Sequence, residues 1–482
     1  MNDAIRRVST VAIVLLLALM VAATNIQVRE APSLNADGRN VRSIYREFGV
    51  SRGPIIVDGK SVVSSVPSDD AFGYQRTYTD GPLFSHVTGY FSIVFGRDGI
   101  ERAENEVLNG TADSFFLRRM QDLVTGHQQR GGSVELTLSR ELQEVATEAL
   151  GDQRGAVVAL DVRTGAVLAM VSTPTYDPAR LAKHSSSKVN DAYQELLADD
   201  SHPLRNRATS SVYPPGSTFK VLTAAAALES GAYQADTVIP APDTLTLPQS
   251  TSVLQNFGGS RCSPTGEQTL ADALRISCNT AFAMLGGEVG QEQLRKTAEA
   301  FGFNERSSVP IPVAASRIPA DLTAPELALS SIGQMDIAAT PLQMASVAQA
   351  IANGGDRLEP YLVERVRDAN LDVVSEADPS SAGRAVSGTT ARALTEMMVG
   401  VVESGSGTAA RIPGVRVAGK TGTAQTTKDA APHAWFMGFA PADSPQIAVA
   451  VLVENGGSMG SEATGGAVAA PIARKVLEAG LR

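Results

Sequence analysis

One uncharged apolar run, Val8 to Ala23, opens the chain behind Arg6 and Arg7, and no second run like it follows in 482 residues. As a helix it is ~24 Å long, short of a ~30 Å hydrocarbon core unless its flanks help. The two arginines place the N-terminus in the cytoplasm and the rest outside. Two readings stay open: an uncleaved single-pass anchor, or a signal peptide with Val21-Ala22-Ala23 as its processing site. Either way the remaining ~450 residues must build their own core outside the cytoplasm. At 43% hydrophobic and 19% charged the chain has the material for one.

The net charge is -10 and no basic stripe is present, which argues against nucleic acid as a partner. Export permits a disulfide, and the chain has two cysteines, Cys262 and Cys278. Their spacing does not show that their Cβ atoms face each other, so a bridge and two buried thiols both remain open. His86, His127, His184, His202 and His433 are scattered, and no HExxH or CxxC pattern occurs. No metal site or cofactor is expected.

The chain divides into an anchor (1–28), a first extracytoplasmic region (29–132) and a large domain (133–482). Arg29 to Arg42 reads as a polar spacer. Ile55-Ile56-Val57 and Ser61-Val62-Val63 flank Asp58-Gly59, a hairpin signal. Leu108 to Leu123 reads as helical, with Phe115, Phe116, Leu117, Met120 and Leu123 as its apolar positions. The region shows no nucleophile beside a base, so it is expected to be a docking or spacing module. Gly131-Gly132 marks the boundary. Beyond it come a strand over Val134–Leu138, a helix over Glu141–Leu150 and a strand pair over 155–161 and 166–171. Helices over Val221–Leu228, Pro341–Ala352 and Val468–Leu481 and strands over 435–439 and 447–453 complete an α/β domain. No internal repeat is seen.

Three short patterns carry chemistry. Tyr213-Pro-Pro-Gly-Ser-Thr-Phe-Lys220 makes a rigid lead-in to a helix, with Ser217 in the first turn and Lys220 one turn on. Helix N–H groups there favour developing negative charge, and a lysine kept neutral by burial can take a serine proton. A second Ser-x-x-Lys, Ser185 to Lys188, lies in a polar run without such a lead-in and reads as solvated loop. Ser277-Cys278-Asn279 is either a proton relay with a lysine-holding amide or a helix N-cap. In Val417-Ala-Gly-Lys-Thr-Gly-Thr423, Lys420 brings charge, and Thr421 and Thr423 put hydroxyls on one side of a strand. Gly422 between them clears room for a substrate to approach the backbone. His433 reads as a surface-loop residue, with cleft lining as the alternative.

In this order, Ser217-x-x-Lys220, Ser277-x-Asn279 and Lys420-Thr421-Gly422 resemble the three active-site motifs of penicillin-binding proteins and serine β-lactamases. Gly333-Gln334, Thr340-Pro-Leu-Gln-Met-Ala345, Ala352-Asn-Gly-Gly355, Ser404-Gly-Ser-Gly-Thr-Ala409 and Ala434-Trp-Phe436 narrow the resemblance to penicillin-binding transpeptidases, over roughly Gly132 to Arg482. The region holding Arg52-Gly-Pro-Ile-Ile-Val-Asp-Gly59 looks like a short class B N-terminal module. About 100 residues cannot hold a glycosyltransferase domain, so the chain is similar to the monofunctional class B members, the actinobacterial ones above all.

The resemblance implies an antiparallel sheet flanked by helices, preceded by a small mixed domain. It implies a Ser217 acyl-enzyme on peptidoglycan stem peptides ending in D-Ala-D-Ala, with Lys220 as base, Ser277 as relay and Asn279 as support. Lys420, Thr421, Gly422 and Thr423 form the carboxylate strand, and N–H groups of Ser217 and Thr423 form the oxyanion hole. β-Lactams are expected to acylate Ser217. Glycosyltransferase and divisome partners and a septal role are implied as well. D,D-carboxypeptidation, β-lactam hydrolysis or sensing, and a non-catalytic scaffold are the alternatives.

Overall fold

The computed structural model describes residues 2–30, 45, 47–126, 129–306, 309–425 and 430–482. Most of the polar spacer, and His127, lie outside the described residues. Helix α1 runs Asn2–Thr24, 23 residues, or ~35 Å. It exceeds the apolar run itself because polar flanks join the same helix. By length and composition this stretch is sufficient to cross a membrane.

The catalytic-motif region is built on a five-stranded antiparallel sheet. Its strands are β5 Gly155–Asp161, β6 Val167–Thr173, β9 Ala418–Ala424, β10 His433–Ala440 and β11 Ile447–Val453, in the order β9-β10-β11-β5-β6. Its central strands read as unbroken apolar runs because both faces are covered. Val158, Trp435, Met437, Ala450 and Leu452 face one core with the buried helices α4 Lys220–Glu229 and α6 Pro341–Ala352. Val157, Phe436, Val449 and Val451 face the other, packed against α3 Arg140–Leu150 and α7 Ala470–Gly480.

A second sheet mixes chain regions. It contains β1 Ile55–Val57, β2 Lys60–Pro67, β3 Tyr74–Tyr78, β4 Ser133–Leu136, β7 Val363–Arg367 and β8 Val373–Glu376, ordered β8-β7-β4-β1-β2-β3. Asp58 and Gly59 take φ of 48° and 69°, the paired positive values of a tight hairpin turn. Strand β1 runs parallel to β4, Ile55 opposite Val134, so the sheet does not break at residue 132. Gly131-Gly132 is a crossing where backbones touch. A Cβ on Gly53 would lie 1.8 Å from the Gly132 oxygen, and one on Gly131 would lie 1.8 Å from the Leu108 oxygen.

Two local expectations change. The segment read as one helix over Leu108–Leu123 is interrupted: a short helix ends at Leu108, a 3-10 turn covers Asp113–Phe115, and helix α2 covers Phe116–Thr125. The Ser185–Lys188 run is solvated but is not loop. Ser185 precedes helix Ser186–Ala198, whose apolar Val189, Ala192 and Leu196 hold it down while its first turn stays polar.

Candidate active site

Ser217 sits in a 3-10 turn, Gly216–Phe219, that feeds directly into α4. The turn is fixed on both sides. Tyr213 and Ala339 exchange two backbone hydrogen bonds of 2.9 Å, and Gly216 N–H donates to the Gly333 oxygen at 2.9 Å. Gly216 takes φ of 54°, and a Cβ there would lie 2.7 Å from the Thr423 oxygen. The Ser217 turn and strand β9 are thus in backbone contact.

That contact also involves Gly422. A Cβ on it would meet the Pro215 oxygen at 2.8 Å, Thr218 Cγ2 at 3.0 Å and Trp435 Cβ at 3.0 Å. Gly422 makes room for the protein's own serine turn. Gly465 closes from another side, its notional Cβ 2.4 Å from the Gly422 oxygen.

Lys220 and Lys420 are both fully buried. Lys220 Nζ donates to the Ser277 carbonyl and to Asn279 Oδ1, each at 2.7 Å, and lies 3.3 Å from Ser277 Oγ. Lys420 Nζ donates to Ser277 Oγ at 2.8 Å and to the Thr421 oxygen at 2.9 Å. Burial, and secondarily the charge of Lys420, hold Lys220 well below its ordinary pKa. Burial lowers Lys420 to about 7. A neutral amine has two N–H bonds. In that form Lys220 would use both on carbonyl oxygens, leaving its lone pair to accept a hydroxyl proton.

Ser277 takes φ of 65°, a left-handed conformation uncommon for serine, and offers the lysines both its carbonyl and its hydroxyl. The N-cap position of helix α5, Asn279–Val289, belongs to Cys278, with no side-chain cap bond. The capping reading of Ser277 and Asn279 therefore fails. Asn256 serves the helix end from a distance: its Oδ1 accepts from Asn279 N at 2.9 Å and Thr280 N at 3.1 Å. Asn279 Nδ2 donates to the Gln255 oxygen at 3.1 Å. The structure joins Cys262 and Cys278 in a disulfide, Cα–Cα 5.8 Å.

On β9, the Thr421 hydroxyl meets Ser406 Oγ at 2.6 Å, and Thr423 Oγ1 accepts from Gly465 N at 3.3 Å. β9 is the edge strand, so its outer rim is unpaired within the sheet. The structure thus gathers Lys220, Ser277, Asn279 and Lys420 into one hydrogen-bonded cluster, with Ser217 one turn before Lys220 and Thr421 to Thr423 continuing the lysine's strand.

Sequence reasoning missed the support behind this cluster. Glu454 Oε1 accepts from Tyr213 OH at 2.7 Å and Arg207 Nε at 3.0 Å, and Oε2 accepts from Arg154 Nε at 3.0 Å. Trp435 Nε1 donates to the Pro214 oxygen at 3.0 Å. His433 is buried rather than on a surface loop. It opens β10 opposite Ala424, its Nδ1 accepts from Asn455 N at 3.0 Å, and its ring packs edge-on against Tyr213 at 5.4 Å. Two signals were present in the sequence: the chain's single Trp beside the third motif, and a carboxylate directly after the apolar run 447–453.

Residues 155–478 match the penicillin-binding protein transpeptidase domain, and residues 52–134 match the penicillin-binding protein A dimerisation domain. The chain is 45% identical over 491 residues to peptidoglycan D,D-transpeptidase PbpA of Mycolicibacterium smegmatis, covering 100% of this chain and 99% of that protein. Identity to PbpA of Mycobacterium tuberculosis H37Rv is 43% at the same coverage. The ceftriaxone acyl-enzyme of penicillin-binding protein A from M. tuberculosis superposes with a TM-score of 0.88 at 42% identity, over 91% of this chain and 100% of that one. The penicillin G acyl-enzyme gives 0.86 at 42% identity, over 90% and 100%. The chain belongs to the class B penicillin-binding transpeptidases, and over its whole length it is similar to their actinobacterial member, penicillin-binding protein A.

Proposed function

We propose that the protein is a membrane-anchored peptidoglycan D,D-transpeptidase with its catalytic domain outside the cytoplasm. The observation that carries this is the buried pair of lysines meeting at Ser277, with Lys220, its pKa held well below the ordinary value by burial, beside the Ser217 turn. Ser217 Oγ attacks the carbonyl between the two terminal D-alanines of a stem peptide while its proton passes to the Lys220 lone pair. N–H groups of Ser217 and Thr423 receive the oxyanion, and Lys420, Thr421 and Thr423 hold the terminal carboxylate. The C–N bond breaks, and the leaving D-alanine amine gains the proton from Lys220 through Ser277. An amine of a second stem peptide then attacks the ester carbonyl, the bond to Ser217 Oγ breaks as that oxygen takes back a proton, and the two peptides, now joined by an amide, leave as the cross-linked product. A β-lactam enters the same first step, as the relatives' acyl-enzymes with ceftriaxone and penicillin G support.

The first region, 29–132, serves in this reading as a docking module for glycosyltransferase and divisome partners at the septum. The matched dimerisation-domain family supports a protein-contact role; the septal assignment rests on the resemblance to actinobacterial members.

Intact-mass measurement after penicillin treatment should show one stable adduct on the wild-type form and none on Ser217→Ala. A thioester donor with an amine acceptor should then give transfer product. Free acid as the sole product would make the protein a carboxypeptidase, and no adduct on folded wild-type protein would leave the scaffold reading.

A further inference from the structure

The Ser217 turn and the Lys420–Thr423 strand come from chain positions about 200 residues apart, and acylation needs both to reach one carbonyl at fixed separation. Backbone contact limits how close they come: Gly216 against the Thr423 oxygen, Gly422 against the Pro215 oxygen. It does not stop them from drawing apart, which requires ties that pull.

Two such ties are visible, both on the two residues just before Pro215. Trp435, opposite Gly422 on the neighbouring strand, donates its indole N–H to the Pro214 oxygen at 3.0 Å. Tyr213 sends its hydroxyl to Glu454 at 2.7 Å, one residue past the end of β11. Glu454 is itself anchored. Arg207, fully buried, and Arg154, half-exposed, each hold one of its oxygens. Arg207 also donates to the Ser201 and His202 carbonyls at 2.6 and 3.3 Å, and its own N–H goes to Ser172 Oγ on β6 at 2.8 Å. The carboxylate is thereby fixed to the sheet, Arg207 sharing Oε1 with the tyrosine and Arg154 holding Oε2. Burial and the neighbouring carboxylate both raise the Tyr213 pKa, so its hydroxyl keeps its proton and remains a donor at every physiological pH.

We propose that Glu454 and Tyr213 are positioning residues for acylation: the sheet-anchored carboxylate holds the tyrosine hydroxyl and sets the separation between Ser217 and the carboxylate-binding strand. Neither residue touches the reacting atoms. The inference rests on the transpeptidase reading above and adds to it a reason for a buried Arg–Glu–Tyr array that the chemical steps do not use.

Tyr213→Phe is the informative change, because it deletes the tie while leaving the Arg207–Glu454–Arg154 ion network intact. Glu454→Gln strands a buried guanidinium and risks misfolding, so it serves as the second variant, tested only if it melts cooperatively. Acylation by a chromogenic β-lactam, followed by stopped flow, separates the limiting rate k2 from the dissociation constant K. Tyr213→Phe should lower k2 ten- to a hundredfold, leave K within about threefold and keep the melting temperature near the wild type's. An unchanged k2 would overturn the proposal, as would k2 and K worsening together with a lowered melting temperature, which marks general loosening. The wild-type control keeps the two readings apart: if it forms no adduct, the transpeptidase reading fails, and if it acylates normally beside a normal Tyr213→Phe, only the positioning role fails.

Discussion

A buried ammonium has lost its water, and two of them facing one serine hydroxyl cannot both remain charged at low cost. The Lys220–Ser277–Lys420 array therefore sets the pH range in which the site works. In the proposed mechanism acylation by free enzyme needs Lys220 neutral, so its rate should rise with pH through that residue's depressed pKa. It also needs Lys420 charged to hold a carboxylate, so the rate falls as pH climbs through about 7. The k2/K profile for penicillin should be a bell whose two limbs belong to the coupled pair. Lys420→Arg, charged across the whole range, should be slower but lose the alkaline limb. A wild-type profile still rising past pH 9 would contradict this account. Gly422 makes a second residue-scale test: Gly422→Ala must push the Pro215 carbonyl, 2.8 Å from its new methyl. We expect at least tenfold slower acylation from a protein that still folds, read by the same assay. The motif residues were legible in the sequence because this chemistry demands fixed residue types at short local spacing. The pairing of Glu454 with Arg207 and Tyr213 was not: a carboxylate that ends an apolar run does not name partners 247 and 241 residues away.

At the scale of elements, helix α5 shows how the second motif is held. Its first N–H groups are capped by Asn256 and its preceding residue is bridged to Cys262. The 16-residue span of that bridge corresponds to ~3 kcal/mol in the loop-entropy picture, whereas two buried N–H groups left without an acceptor cost ~1–3 kcal/mol each. The disulfide acts mainly through the unfolded chain and the asparagine through the native geometry. Reduction should therefore lower the melting temperature while slowing acylation less than tenfold. Asn256→Ala should slow acylation more than reduction does at a similar loss of stability, measured by melting curves and k2/K with and without reductant. Elements with strong periodicity, such as β11 and α6, could be read from the sequence within a residue or two. Where polarity and periodicity disagreed, at Ser185–Lys188, the first turn of a surface helix looked like loop. At Gly131-Gly132 the boundary is not a linker: paired glycines mark linkers and tight backbone crossings alike, and only the neighbouring chain tells which.

For the whole molecule, that crossing decides whether the two regions that follow α1 are separable. Strand β4 has β1 on one edge and β7 on the other, so one sheet contains strands from both regions. One apolar core runs through it, with Ile55, Val57, Val62 and Phe84 packed together with Val134, Leu136 and Leu138. Polar ties repeat the connection. Gln143 bonds the Leu83 carbonyl and both backbone groups of Met170, at 2.9 Å each, and Arg140 N–H donates to Asp58 at 2.7 Å. Cutting after residue 132 would uncover a β4 edge and an apolar surface at once, a combination that invites strand pairing between molecules. Residues 133–482 alone should therefore aggregate or melt well below the form that begins at residue 29, while a form lacking only α1 should behave as a stable, acylable protein. Light scattering and penicillin acylation of the two forms measured side by side test this. A monomeric 133–482 fragment with undiminished acylation would show that the first region is an appendage after all, and that the shared sheet adds little to holding Ser217 in place.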